Sequence, residues 1–161
     1  EQDNVFSIQE ILAGDATPGK RVLLLDDLND WRGVGTGVLL AEKGHEVTVV
    51  TSAPLLAKGL GYSDTDGALR KRFAVAGGEG ITDAALLSWD RGTARLRHLL
   101  TGREWTRTFD SLALATSPEA DTTLERALVD SGLEVHTIGD CVAPRRASVA
   151  FYEGRKLALG L

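Results

Sequence analysis

The 161-residue chain contains no methionine and a single cysteine, Cys141. One cysteine excludes an internal disulfide and a pair of redox-active thiols, and it fits a reducing compartment. The three histidines, His45, His98 and His136, are scattered and lack the spacing of metal ligands. We therefore predict no metal site and no catalytic residue in this chain. The missing initiator methionine leads us to expect a piece of a longer protein.

Long apolar runs and basic clusters are missing as well. No apolar run approaches the roughly 20 residues that cross a bilayer, and no signal peptide marks the start. The net charge of −5, without a patch dense in lysine or arginine, argues against a nucleic-acid partner. We expect a cytoplasmic protein with no membrane or nucleic-acid partner. The hydrophobic content of 43% is ordinary for a globular domain.

The first half of the chain has the pattern of a βαβ unit. Residues 21–27 contain a continuous apolar run, which is typical of a strand covered on both faces. A helix is predicted over about 33–43, ending at Gly44, and a second strand over 46–51. Because the three elements follow one another within about 30 residues, they predict parallel strands with a right-handed crossover.

An antiparallel meander and a second helical region follow. A further helix is predicted over about 66–76 and ends at the glycine-rich run 77–80. Turn signals separate the later strands and helices. The predicted meander strands are 81–89, 93–100 and 104–109, and the later elements are a strand over 110–116, a helix over 122–131, a strand over 134–138 and a helix over 145–159.

The segment 33–37, Gly-Val-Gly-Thr-Gly, resembles a dinucleotide fingerprint but has the wrong spacing. A fingerprint needs glycines directly after the first strand, where the backbone approaches the pyrophosphate. Counted back from Gly44, the three positions fall on Leu28, Asp30 and Gly33. Only the third glycine is present, and that position serves helix–strand packing. We predict a degenerate turn that no longer holds a nucleotide.

Negative charge in the same turn supports this interpretation. Asp26 and Asp27 stand with Asp30 where phosphates would bind, and like charges disfavour a dinucleotide there. Trp31 follows directly, and we hypothesise that its ring fills the vacated pocket.

Gly139-Asp140, which follows the apolar stretch 135–138, is the strongest candidate for a cofactor contact. Gly139 allows close approach of the backbone to a ligand. Asp140 either faces a bound cofactor or caps the helix that starts near Pro144. Arg145 either reaches a phosphate or pairs with carboxylates. We predict that Gly139, Asp140 and Arg145 bind a cofactor only together with a half-domain that this chain lacks.

The sequence resembles the C-terminal portion of the trimethylamine dehydrogenase family. Relatives in that family are dimethylamine and histamine dehydrogenases, 2,4-dienoyl-CoA reductase and NADH:flavin oxidoreductase proteins. The resemblance covers nearly all of residues 18–161. The matching stretches are residues 19–27, 40–50, 110–116 and 138–145.

The resemblance implies an α/β fold and an assignment of domains. Residues 1–19 would be an inter-domain linker, and residues 20–116 a degenerate NAD(P)-binding-like Rossmann domain with an inserted antiparallel β-meander. Residues 117–161 would be the C-terminal return segment of an FAD- or ADP-binding domain, contributing a terminal strand and helix. The parent enzyme would carry FMN and a four-iron cluster in a barrel, and ADP or FAD in the following domain. One cysteine cannot supply the four thiolates of that cluster.

We therefore expect the non-catalytic C-terminal domain of a multi-cofactor oxidoreductase of the amine dehydrogenase or demethylase type, acting on C–N bonds. Alone, the chain would be inactive and bind no cofactor. Its partners would be the remaining domains of the parent flavoprotein and an external electron-transfer flavoprotein. An exposed edge strand would also allow a homo-oligomer. Two alternatives stay open: part of an NADPH-dependent enoate or dienoyl-CoA reductase, and a stand-alone nucleotide-binding or interaction module.

Overall fold

The computed structural model describes residues 2–129 and 131–161. The chain divides into two compact units, of which the first ends at Thr116 and the second is Ser117–Leu161. No helix in the described part of the chain is long and apolar enough to cross a membrane.

A five-stranded parallel sheet forms the centre of the first unit, with the strand order β1-β8-β2-β3-β4. The three central strands, β8, β2 and β3, are almost fully buried, which explains their continuous apolar runs. The sheet strands are β1 (Val5–Ser7), β2 (Arg21–Asp26), β3 (Glu46–Val50), β4 (Glu79–Ile81) and β8 (Ser111–Ala115).

Three helices pack against one face of this sheet: α1 (Ile8–Ala13), α2 (Trp31–Glu42) and α3 (Asp66–Val75). Side chains alternate along β2, so that Val22 and Leu24 join the helical core. Leu23, between them, points to the opposite face. The βαβ prediction is therefore confirmed, although α2 begins two residues earlier than expected.

The antiparallel meander covers the opposite face of the sheet. Its strands are β5 (Ala84–Asp90), β6 (Thr93–His98) and β7 (Glu104–Thr108), paired in that order. Leu96 of β6 is fully buried in a core that also contains Leu23 and Phe109. The predicted parallel sheet with an inserted meander is confirmed, and the α/β fold class with it.

The prediction of a linker over residues 1–19 is wrong. Strand β1 pairs in parallel with β8 and adds an edge to the sheet, and α1 follows it at once. Ser7 and Glu10 form a reciprocal capping box at the start of α1, while Gly14 ends the helix in the left-handed conformation. This segment is therefore an integral part of the first unit.

The glycine-rich run 77–80 also does more than end a helix. Its second half opens β4, which pairs with β3 at the other edge of the sheet. Gly78 must be glycine because a Cβ there would lie 2.1 Å from Cε2 of Phe73.

The second unit contains helices α4 (Thr123–Leu128) and α5 (Ala147–Ala158) and a short 3-10 turn at Gly139–Cys141. The strand predicted over 134–138 is not formed, so the terminal strand–helix pair is reduced to its helix. A strand needs a hydrogen-bonded neighbour, and the described residues of this unit provide none. Gly139 is the one buried residue among those described here.

Candidate functional site

The turn between β2 and α2 lies at the carboxyl edge of the sheet, where the strand order reverses between β2 and β8. Ligands of open α/β sheets bind at such a switch point. The positions that a dinucleotide fingerprint would occupy have structural roles in this turn. Leu28 packs against the helical core, and Asp30 is the N-cap of α2, with its Oδ1 accepting from the Arg32 N–H at 2.9 Å. The same Asp30 pairs with the Arg32 guanidinium at 2.8 Å.

Gly33 lies in the first turn of α2, directly against the end of β2. A Cβ at this position would come 2.2 Å from Oδ1 of Asp26, which no real structure tolerates. Gly33 is therefore a glycine that allows close helix–strand packing. Gly35 and Gly37 lie inside α2, as predicted from the spacing.

Asp26 is fully buried at the end of β2. Its Oδ1 accepts from the Asn29 N–H at 2.9 Å, and its Oδ2 has no hydrogen-bond partner among the described residues. Burial raises the pKa of Asp26 to about 6, the hydrogen bond from Asn29 opposes that rise, and the charge of Asp30 adds to it. The carboxyl group thus fills the space beneath the helix N-terminus that a pyrophosphate would approach.

The segment after β3 closes the same turn from outside. Asn29, at a left-handed φ of 55°, accepts from the Gly59 N–H at 2.9 Å through its backbone oxygen. Its side-chain Oδ1 accepts from Oγ1 of Thr51 at 3.1 Å. A Cβ at Gly59 would lie 2.7 Å from the Asn29 oxygen, so the two backbones touch. The hypothesis that Trp31 fills the pocket is wrong, because this side chain is 52% exposed.

Gly139 in the second unit is buried and has a φ of 72°, which favours glycine. Its N–H donates to Oε2 of Glu153 at 2.7 Å. A Cβ would in addition meet that of Ala150 on α5 at 3.4 Å. The backbone conformation therefore favours glycine at this position, whereas a Cβ there would make only an ordinary contact with Ala150.

Asp140 and Arg145 are brought next to Gly139. Oδ1 of the exposed Asp140 accepts from the Arg145 N–H at 3.2 Å, and its Oδ2 accepts no hydrogen bond from any described residue. Asp140 is not the N-cap of α5, because that helix begins at Ala147 with Arg146 as its N-cap. The Arg145 guanidinium pairs with Glu153 at 2.5 Å and donates from Nε to the Ala143 oxygen at 2.9 Å.

Glu153 is the residue of this site that sequence reasoning missed. It contacts two of the three predicted residues, and the Gly139 N–H followed by the Arg145 guanidinium holds its pKa below the usual value. The sequence pattern gave no signal for it, because its bonds to Gly139 and Arg145 form only in the folded loop.

Comparisons with known proteins concern the fold of the chain. No protein-family model matches the sequence. The structure of histamine dehydrogenase from Rhizobium sp. 4-9 has a TM-score of 0.84 and 22% identity over 96% of this chain. The 6-hydroxypseudooxynicotine amine oxidase HisD from Pseudomonas geniculata N1 has a TM-score of 0.84 and 27% identity over 94%. The predicted resemblance to the trimethylamine dehydrogenase family is confirmed.

Two further proteins extend the comparison with this family. A 2-naphthoyl-CoA reductase structure has a TM-score of 0.77 and 22% identity over 98% of this chain. An N,N-dimethylglycine/sarcosine dehydrogenase from Chromohalobacter salexigens is 23% identical over 98% of this chain. All four proteins are oxidoreductases, and this chain has the fold of one part of them. It spans only 23% to 27% of their lengths.

Proposed function

We propose that this chain is the non-catalytic C-terminal part of an oxidoreductase that contains FMN and a four-iron cluster and acts on the C–N bond of an amine. The observation that carries the proposal is the incomplete second unit. It presents a Gly139-Asp140 turn in which Oδ2 of Asp140 accepts no hydrogen bond from a described residue, and Gly139 is the one buried residue among those described in this unit. A unit of this size with almost no hydrophobic core is not stable by itself. We infer that the remainder of its domain packs beside it and completes the ligand site.

In the complete enzyme, Oδ2 of Asp140 would accept a hydrogen bond from a hydroxyl group of ADP or FAD. Gly139 would allow that group to approach the backbone. FMN and the cluster would supply the redox chemistry. The cluster would be held outside this chain, because it needs four thiolates and Cys141 is the one thiol here. The FMN would belong to the same part of the enzyme. The enzyme would work in the cytoplasm and deliver electrons to an external electron-transfer flavoprotein.

The closed turn after β2 favours an amine enzyme over an NADPH-dependent reductase. The Asp26 carboxyl group lies against Gly33 on one side of the turn, and Gly59 contacts the Asn29 backbone on the other, where a glycine turn would approach a pyrophosphate. Histamine dehydrogenase and the amine oxidase are also among the most similar structures. The similarity to 2-naphthoyl-CoA reductase keeps an enoate or dienoyl-CoA reductase as the second candidate. A stand-alone nucleotide-binding module is disfavoured by the same closed turn.

An anaerobic titration of the complete protein separates the two enzyme classes. Dimethylamine, trimethylamine, histamine and sarcosine would be added in turn while the flavin absorbance is recorded, and NADPH would be added to a second sample. We expect at least one amine to bleach the flavin and NADPH to leave it unchanged. Bleaching by NADPH alone would overturn the proposal in favour of the reductase.

A further inference from the structure

We propose that Glu153 is a positioning residue that holds the Gly139-Asp140 turn in its ligand-receiving form. Arg145 is then part of the same support and not a phosphate ligand. The inference rests on the proposed function, since it assumes that a nucleotide hydroxyl meets Asp140.

The two oxygens of Glu153 connect separate parts of the turn to the middle of α5. Oε2 accepts from the backbone N–H of Gly139 at 2.7 Å, at the start of the turn. Oε1 accepts from Nη2 of Arg145 at 2.5 Å, at its end. The backbone N–H of Arg145 in turn donates to Oδ1 of Asp140 at 3.2 Å. These contacts form a closed circuit that orients the Asp140 carboxylate.

Two nitrogens of the Arg145 guanidinium have partners within this unit. Nη2 is engaged by Glu153, and Nε donates to the Ala143 oxygen at 2.9 Å. Nε and Nη2 form one edge of the guanidinium, so this edge is not available for a two-bond contact with a phosphate. The earlier expectation that Arg145 binds the cofactor directly is therefore replaced by a supporting role.

Loss of Glu153 would leave the Gly139 N–H without an acceptor in a buried position. A buried unsatisfied donor is costly, so the turn would rearrange to reach water. The rearrangement would move Asp140 away from the ligand, because ligand groups must be held to within about 0.5 Å. The effect on nucleotide binding would thus be indirect, through geometry.

The test uses the complete enzyme with FMN and the cluster in place and the adenine nucleotide removed. The Kd values of ADP and FAD are then measured. The variants are Glu153→Ala, Glu153→Gln and Arg145→Ala, with Arg155→Ala as the control for loss of an exposed charge on α5. We expect Glu153→Ala to weaken binding at least tenfold. Glu153→Gln keeps an acceptor for Gly139 and should lose only a few-fold, as should Arg145→Ala. Arg155→Ala should bind like the wild type.

The double variant with alanine at 145 and 153 decides the role of Arg145. If Arg145 acts only through Glu153, the double variant should bind the nucleotide no more weakly than Glu153→Ala alone, because the effects of substitutions at coupled residues are not additive. Additive losses, or a larger loss for Arg145→Ala than for Glu153→Ala, would make Arg145 a direct ligand. The circular dichroism spectrum of each variant, compared with that of the wild type, checks that the protein is folded. If Glu153→Ala does not fold, Glu153→Gln and Glu153→Asp give the same comparison.

The binding measurements distinguish failure of the proposed function from failure of the inference about Glu153. A wild-type enzyme that binds neither ADP nor FAD would overturn the proposed function and the inference together. A wild-type enzyme that binds ADP or FAD while Glu153→Ala binds it equally well would overturn the inference alone.

Discussion

Gly33 and Gly35 stand two residues apart in α2 and differ completely in their surroundings. A Cβ at Gly33 would overlap the Asp26 carboxyl group, whereas a Cβ at Gly35 would meet nothing within 4 Å. We predict that Gly33→Ala destabilises the protein by roughly 1–3 kcal/mol through overpacking. Gly35→Ala should stabilise it by up to about 1 kcal/mol, because alanine is the better helix former.

Urea unfolding of both variants beside the wild type measures this difference. Equal effects of the two substitutions would show that Gly33 is not in close contact with β2. Replacing Asp26 by alanine in the Gly33→Ala background should recover part of the lost stability, since the overlapping group is then gone.

Asp26 gives the protein a pH-dependent stability. Its folded-state pKa of about 6 is above the ordinary 3.8, so its contribution is fully present below pH 3.8 and is lost as pH rises through 6. A shift of this size corresponds to roughly 3 kcal/mol. We predict that Asp26→Asn, compared with the wild type, becomes relatively more stable between pH 4 and pH 8 by about 2–3 kcal/mol.

The measurement is the free energy of unfolding of both proteins at several pH values. Asp27→Asn is the matched control, because Asp27 is the next residue and its side chain is exposed. A constant stability difference between Asp26→Asn and the wild type across this range would show that the buried carboxyl group does not titrate as described.

Among the helices and strands, the sequence predicted those that have a clear local pattern of apolar residues. Strands β2, β3 and β8 are recognisable because buried parallel strands are continuously apolar. Strands β1 and β4 have three residues each, which is too short for periodicity, and β1 pairs with a strand more than 100 positions away. The Ser7–Glu10 capping box was a signal for α1 that pattern reading did not use.

The same distinction holds for the candidate sites. Counting back from Gly44 placed Leu28 and Asp30 in the turn between β2 and α2, and Gly33 in the first turn of α2. It did not reveal that Gly59 covers the turn, because that contact joins residues 30 positions apart through the fold. Sequence reasoning did not identify Glu153 for the same reason, since its hydrogen bonds to Gly139 and Arg145 form only when the loop is folded.

The stretch 135–138 has the composition of a strand but lacks a neighbouring strand in the part of the chain that the structure describes. We predict that its backbone amides exchange with deuterium rapidly in the isolated 161-residue chain. They should become protected in the complete enzyme, where a partner strand completes the hydrogen bonds. Hydrogen exchange followed by mass spectrometry compares the two, with the amides of β2 as the protected reference. Protection of 135–138 in the isolated chain would contradict the prediction.

At the scale of the whole molecule, the two units differ in how much core they have. The first unit packs helices on one face of its sheet and a meander on the other, which gives two separate hydrophobic clusters. The second unit buries Gly139 alone among its described residues and leaves large side chains such as Phe151 and Tyr152 exposed. A unit with so little buried apolar surface does not offset its conformational entropy by itself.

The polypeptide that carries this sequence in its source cell therefore provides the most direct test, through its mass and visible spectrum. We predict a yellow-brown protein several times larger than the 17.2 kDa of this chain, with flavin and iron in the same polypeptide. A colourless 17.2 kDa protein without flavin or iron would contradict it.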